Sequence, residues 1–234
     1  MPRPDRLVLV VGTGTEVGKT WVACALARAL RAAGVVVAAR KPAQSFDPAD
    51  RGPTDAELLA GATGEAVGDV CPPERSYPLA MAPPMAAAAL GRPVPTLAEL
   101  VGVLADGTGW DGTGVGIVEA AGGVRSPLAE DGDSIDAARA LRPDLVLLVA
   151  DAGLGTINAV RSTAPALAGW PLAVLLNRYD AGSDLHRRNR AWLAERDRLP
   201  VYTDVAEVVA LLGPAVRPEP EPAPATPATP GSSP

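Results

Sequence analysis

Residues Gly12 to Thr20, Gly-Thr-Gly-Thr-Glu-Val-Gly-Lys-Thr, constrain this chain more than any other segment. They follow the apolar run Leu7-Val8-Leu9-Val10-Val11 and precede an Ala/Leu-rich stretch of helical periodicity. Strand, glycine loop and helix in that order form the context of a phosphate-binding P-loop. The N–H groups of such a loop point inward around an oligophosphate, and the next helix presents its positive end to it. Lys19 then reaches the terminal phosphates and the Thr20 hydroxyl ligates Mg²⁺. An ordinary glycine turn is the alternative, and Gly18-Lys19-Thr20 in this context argues against it. The spacing is unusual: in G-x-x-x-x-G-K-[ST] the first glycine stands where this chain has Thr13, so with Gly12 the loop carries one extra residue.

A chain of 234 residues is long enough to bury a sizeable core. Its 27 acidic and 21 basic residues give a net charge of −6, without a Lys/Arg cluster, which argues against a nucleic-acid surface. No apolar stretch approaches the roughly 20 residues that span a bilayer, and the N-terminus lacks the pattern of a signal peptide. Cys24 and Cys71 read as reduced structural thiols, and His186 as the single histidine argues against a Cys/His zinc site. A cytoplasmic protein, with neither nucleic acid nor membrane as partner, is the expectation. Residues 1–213 read as one P-loop α/β domain. Residues 214–234, mostly Pro, Ala, Glu, Thr and Ser, read as a disordered tail because they offer little to bury.

Periodicity predicts a helix from Lys19 to about Ala33, stopped by Gly34, and a second strand over Val35–Ala39. Thr54 reads as the N-cap of a helix through Ala60. Residues 63–84 are Pro/Gly-rich and give no assignment, and helices follow at Met85–Leu90 and Thr96–Ala105. Further buried strands end at Glu119, Asp151 and Asn177. Apolar strands alternating with helices predict a three-layer α/β/α fold with a mainly parallel sheet. Lys41, Glu119 and Asn177 then lie just beyond strand ends, the edge where such sheets bind ligands. Glu119 fits a carboxylate that helps hold Mg²⁺ beside a P-loop. Lys41 cannot be buried unpaired and faces the cleft or solvent. Asp55 is either a second metal ligand or a helix first-turn charge.

The glycine loop resembles the modified P-loop of the dethiobiotin synthetase family, which shares the extra residue. The similarity continues through Lys41-Pro42-x-x-Ser45, Thr54-Asp55, Val118-Glu119-x-Ala121-Gly122-Gly123 and Leu154-Gly155-Thr156-Ile157-Asn158, and ends near Asn177. It implies ATP- and Mg²⁺-dependent ring closure of 7,8-diaminopelargonate. One amine takes up CO₂ as a carbamate, ATP activates it as a mixed anhydride, and the second amine closes the ureido ring. Under the resemblance Lys19, Lys41 and Glu16 serve the chemistry. Gly12, Thr13, Gly14, Thr15, Glu16, Val17, Gly18, Lys19, Thr20, Trp21 and Asn177 bind nucleotide. Thr20, Asp55 and Glu119 hold the metal. Ser45, Gly155, Thr156 and Asn158 bind substrate, the last three across a homodimer interface.

The chain departs from the family pattern at several points. Ala120 replaces a glycine of V-E-G-A-G-G, which costs about 1 kcal/mol if the position requires φ > 0. Ala159 stands where a histidine often follows the asparagine, and Arg178 where a small or acidic residue is common. A late G-x-I-P base-binding segment is not evident, and Thr203-Asp204-Val205-Ala206 occupies its region. Three other readings remain in view. A P-loop amidoligase normally carries a glutaminase Cys and His, which have no counterpart here. A partitioning ATPase needs a second lysine where this chain has Gly14. A divergent nucleotide-binding module would keep the triphosphate site and lose synthesis.

Overall fold

The computed structural model describes residues 3–105, 110 and 112–212. The tail expected at 214–234 lies outside the described residues.

The apolar runs form strands β1 (Arg6–Gly12), β2 (Val37–Arg40), β5 (Val115–Glu119), β8 (Leu145–Asp151), β9 (Leu172–Asn177) and β10 (Val201–Tyr202). They make one sheet in the order β10-β9-β8-β1-β5-β2, with every pairing parallel. Two small accessory pairs join β3 (Gln44–Ser45) to β4 (Ser76–Tyr77) and β6 (Pro127–Ala129) to β7 (Gly132–Asp133).

Alternate residues of β1 enter opposite cores, as strand geometry requires of a doubly covered sheet. Val8 and Val10 pack with α1 (Lys19–Ala32), α2 (Asp55–Thr63) and α9 (Val205–Leu212). Leu7, Leu9 and Val11 pack with α4 (Pro83–Ala89), α5 (Leu97–Ala105), α6 (Ser134–Leu141) and α7 (Thr156–Thr163). This is the expected α/β/α sandwich.

Local chemistry sets several boundaries. Thr54 caps α2 in a reciprocal capping box with Glu57, so the helix starts where the sequence placed it. Strand β2 begins at Val37 rather than Val35, because Gly34 is left-handed (φ 79°) and Val35 folds back to hydrogen-bond Leu30. The unassigned stretch resolves into a one-turn helix, α3 (Val67–Val70), a 3₁₀ turn at Pro73–Arg75 and β4. The structure also forms α6, α8 (Asp184–Ala191), β10 and α9, in stretches to which the sequence analysis assigns no element.

Candidate active site

Because the six strands are parallel, their C-terminal ends form one rim along the sheet. From one side to the other it carries Thr203-Asp204 after β10, Asn177-Arg178 after β9 and the α7 N-terminus after β8. The glycine loop follows β1, Glu119 ends β5, and Lys41 follows β2.

The loop is shaped by its glycines. Gly18 has φ 91°, and a Cβ there would lie 2.1 Å from the Asn177 amide nitrogen. Only glycine permits both the turn and the approach. Gly18 also precedes the first residue of α1 without a capping side chain, leaving that helix end open for phosphate oxygens. Lys19 lies back over the loop, its ammonium donating to the Gly14 carbonyl at 3.0 Å. Burial, with the nearby Lys41 charge, lowers its pKa below the ordinary lysine value. Thr13 and Gly14 are half-buried in the loop, Thr15 is exposed, and Val17 is half-buried. Glu16 is exposed and left-handed at φ 60°.

Thr20, Asp55, Glu119 and Lys41 converge beside the loop. The Thr20 hydroxyl lies 2.7 Å from Asp55 Oδ1 and 2.9 Å from Glu119 Oε1. Lys41 Nζ lies 2.6 Å from Glu119 Oε1 and 2.7 Å from Asp55 Oδ2. Lys41 and Glu119 are fully buried, while Asp55 opens toward the cleft. The lysine is thus buried, not solvated, and two carboxylates make its burial tolerable. Asp55 is both the first residue of α2 and a member of this cluster. Burial works against the Lys41 charge, yet Glu119 and Asp55 outweigh it and raise its pKa. Burial also works against ionised Asp55, but Lys41 and Thr20 hold its carboxyl below the usual value. For Glu119 burial prevails over Lys41, and its pKa is raised.

The oxygens of Thr20, Asp55 and Glu119 fit a Mg²⁺ ion, which takes one or two carboxylates and completes its shell with phosphate and water. Glu119 Oε2 is buried without a hydrogen-bond partner, an acceptor that a cation would satisfy. Among the described residues no group of three His, Cys, Asp or Glu side chains could hold a metal ion. The hydroxyl and the phosphates are therefore integral to such a site.

The neighbouring small-residue loop answers the concern over Ala120. The left-handed residue there is Gly122 (φ 66°), where a Cβ would meet Ser126 Oγ at 2.7 Å; Ala120 is outside the positive-φ region and buried. Its methyl therefore carries no left-handed strain. The Ser45 hydroxyl donates to the Met81 carbonyl. Gly155 (φ 92°) leads into α7, with Thr156 buried, its hydroxyl unpartnered, and Asn158 exposed. That helix end lies across the glycine loop from Lys41, so this chain alone presents the two substrate segments on opposite flanks.

On the far flank a cleft of about 580 Å³ is lined by Gly18, Trp21, Asn177, Arg178, Tyr179 and Thr203, among others. Asn177 is buried, and its amide donates to the Val17 carbonyl at 3.0 Å. Asp204 and Val205 line the same cleft, so the segment that departs from the family pattern still forms a wall here. The sequence reading placed neither β10 nor Arg178 in the site. The short apolar Leu199-Pro200-Val201-Tyr202 run was the available signal for the strand.

A parallel α/β/α sheet with a glycine loop and a Thr–carboxylate–lysine cluster on its rim defines a P-loop nucleotide-binding protein. A family model described as "AAA domain" matches residues 6–208. An ATP-dependent dethiobiotin synthetase of Anaeromyxobacter dehalogenans is 42% identical over 220 residues, covering 89% of this chain and 96% of its own. The synthetases of Caulobacter sp. (strain K31) and Haloferax mediterranei are each 36% identical, covering 83% of this chain and 86% and 81% of their own. The chain belongs to the dethiobiotin synthetase family. Chloroplast FtsY of Physcomitrella patens shares the fold at a TM-score of 0.51 and 19% identity, covering 91% of this chain, which spans 66% of that structure.

Proposed function

We propose the following division of labour for this chain, an ATP- and Mg²⁺-dependent ligase that closes the ureido ring of dethiobiotin. The amides of residues 12–18 and the α1 N-terminus receive the phosphates, with Lys19 on the terminal ones. Thr20, Asp55 and Glu119 hold Mg²⁺, which neutralises phosphate charge when bound. One amine of the diamine adds to CO₂ and loses a proton, giving a carbamate. A carbamate oxygen then attacks the γ-phosphorus and ADP leaves. The second amine attacks the carbonyl carbon, the C–O bond breaks, and phosphate departs as the ring closes. Lys41 supplies a fixed positive charge where the anionic transfer develops, in a site from which water is largely excluded. The observation that carries this reading is the burial of Lys41 between Glu119 and Asp55, beside the Thr20 hydroxyl.

Glu16 contacts nucleotide or substrate, and Trp21 and Asn177 border the base. Ser45 meets the carbamate after exchanging its Met81 contact. Gly155, Thr156 and Asn158 receive the substrate carboxylate of a partner subunit, so the working form is a homodimer. Leu154 supports this: it is 92% exposed beside that helix end, as suits a residue covered by a second copy. Residues 1–213 act as one catalytic unit in the cytoplasm, with no nucleic acid or membrane partner. Among the described residues no helix is long and apolar enough to cross a membrane.

The test is turnover with ATP, Mg²⁺, bicarbonate and 7,8-diaminopelargonate. One ureido product per phosphate released is expected. Nucleotide binding without either product would overturn the enzyme reading and favour a binding module.

A further inference from the structure

Arg178 performs a task that the reaction scheme leaves open. It follows Asn177 at the end of β9 and is itself left-handed at φ 56°. That conformation sends its guanidinium sideways across two strand ends. One nitrogen lies 2.9 Å from Asp151 Oδ2 at the end of β8, and the other donates to the Glu16 carbonyl at 3.0 Å. Asp151 is anchored in turn, its Oδ1 accepting the Gly153 N–H at 2.8 Å. That contact, with the Arg178 guanidinium, holds its carboxyl below the usual aspartate range. Asn177 makes a parallel connection one residue further along the loop, to the Val17 carbonyl.

The carbonyl that Arg178 grips lies within the lengthened loop. Glu16 adopts a φ that L-residues other than Asn and Asp avoid, so the loop needs an external constraint to stay in this shape. We propose that Arg178 is a positioning residue which, braced by Asp151, clamps the Glu16 carbonyl and holds the lengthened loop ready for a nucleoside triphosphate. It acts through the loop's shape. A loop that is competent only part of the time binds its ligand more weakly in proportion to that fraction.

Stability is not the purpose of the contact. Arg178 and Asp151 side chains are 60% and 46% exposed, and ion pairs so exposed contribute little to folding. The clamp rests on the proposed nucleotide role of the loop, and the experiment separates the two. Full-length wild type, Arg178→Ala, Arg178→Lys and Asp151→Asn are titrated calorimetrically with Mg²⁺ and the β,γ-methylene analogue of ATP. Turnover and thermal midpoint are measured in parallel.

Arg178→Ala is expected to raise Kd and the KM for ATP about three- to ten-fold, the scale of a lost charge-assisted contact. The kcat and the KM for the diamine stay within about two-fold, and the thermal midpoint stays within about 2 °C. Arg178→Lys is intermediate, because one ammonium does not reproduce a two-pronged grip. Asp151→Asn is decisive. Removing a negative charge strengthens binding of an anion if only the general field matters, whereas loosening the brace weakens it. Weaker binding in Asp151→Asn supports the clamp. Tighter or unchanged binding overturns it, as does a rise of both KM values together with a lower thermal midpoint in Arg178→Ala. A wild type that binds no nucleotide would overturn the nucleotide reading and the clamp with it. A wild type that binds but forms no ring, with the variant effects intact, would overturn the synthetase reading alone.

Discussion

The two flanks of the glycine loop are built on opposite principles. Toward β2, Lys41 and Glu119 are fully buried and joined at 2.6 Å, with Asp55 and Thr20 closing the cluster. Toward β9, Arg178 and Asp151 are largely exposed at 2.9 Å and bridge the loop through a backbone carbonyl. A buried pair loses one partner at the expense of an uncompensated charge. An exposed pair loses one partner to water at little cost. Loss of one partner is therefore costlier on the Lys41 flank than on the Arg178 flank.

That contrast predicts a steep gradient of effects. Lys41→Ala is expected to lower kcat at least 100-fold, the scale of losing one preorganised donor to a developing anion, with nucleotide Kd changed only a few-fold. Single-turnover kinetics and calorimetry check both. Lost binding with kcat preserved would make the two flanks alike and contradict the contrast. The same variant removes the ammonium that pairs with buried Glu119 at 2.6 Å, so a stability loss of about 3 kcal/mol in urea titration is expected.

Glu119→Gln comes next. It keeps the shape but removes an anion from both Lys41 and the oxygen cluster, so the Mg²⁺ concentration for half-maximal turnover rises about ten-fold or more. An unchanged Mg²⁺ dependence would remove Glu119 from the metal set.

A smaller effect concerns pH. Burial holds the Lys19 pKa below the ordinary lysine value, so its neutral form gains as pH rises through that lowered value and affinity for the phosphates falls. Lys41 is shifted the other way and stays charged over the same range. The alkaline limb of ATP binding is therefore set by Lys19. In Lys19→Arg that limb should move to higher pH. An alkaline limb that stays in place would assign it to another group.

The smallest effect is at Ala120. Because Ala120 is not left-handed, Ala120→Gly relieves no strain and loses a buried methyl, giving a destabilisation of about 1 kcal/mol or less. A gain in stability would show that this backbone position favours glycine after all.

The buried flank was the more legible in the sequence. Gly18-Lys19-Thr20, Glu119 and Lys41 stand at fixed offsets from apolar strands, and parallel topology places such positions on one rim. Thr54 marked the start of α2 as an N-cap residue, and the structure adds the reciprocal bond from Glu57 that completes the cap. What stayed hidden depends on long-range geometry. Nothing in the vicinity of Arg178 says that its guanidinium reaches Glu16, 162 positions earlier. Likewise β10 is two residues long and is defined by its pairing with β9. At Ala120 the residue type could be compared with a pattern, but the torsion that decides its cost is set by the fold.

The most direct test of the account follows an oxygen atom. In short incubations with ¹⁸O-labelled bicarbonate, a carbamate oxygen that attacks the γ-phosphorus must remain with the phosphate when the ring closes. The account predicts one labelled oxygen in the phosphate released per ureido ring formed. Ring formation with unlabelled phosphate, or phosphate release with no ring, would contradict it.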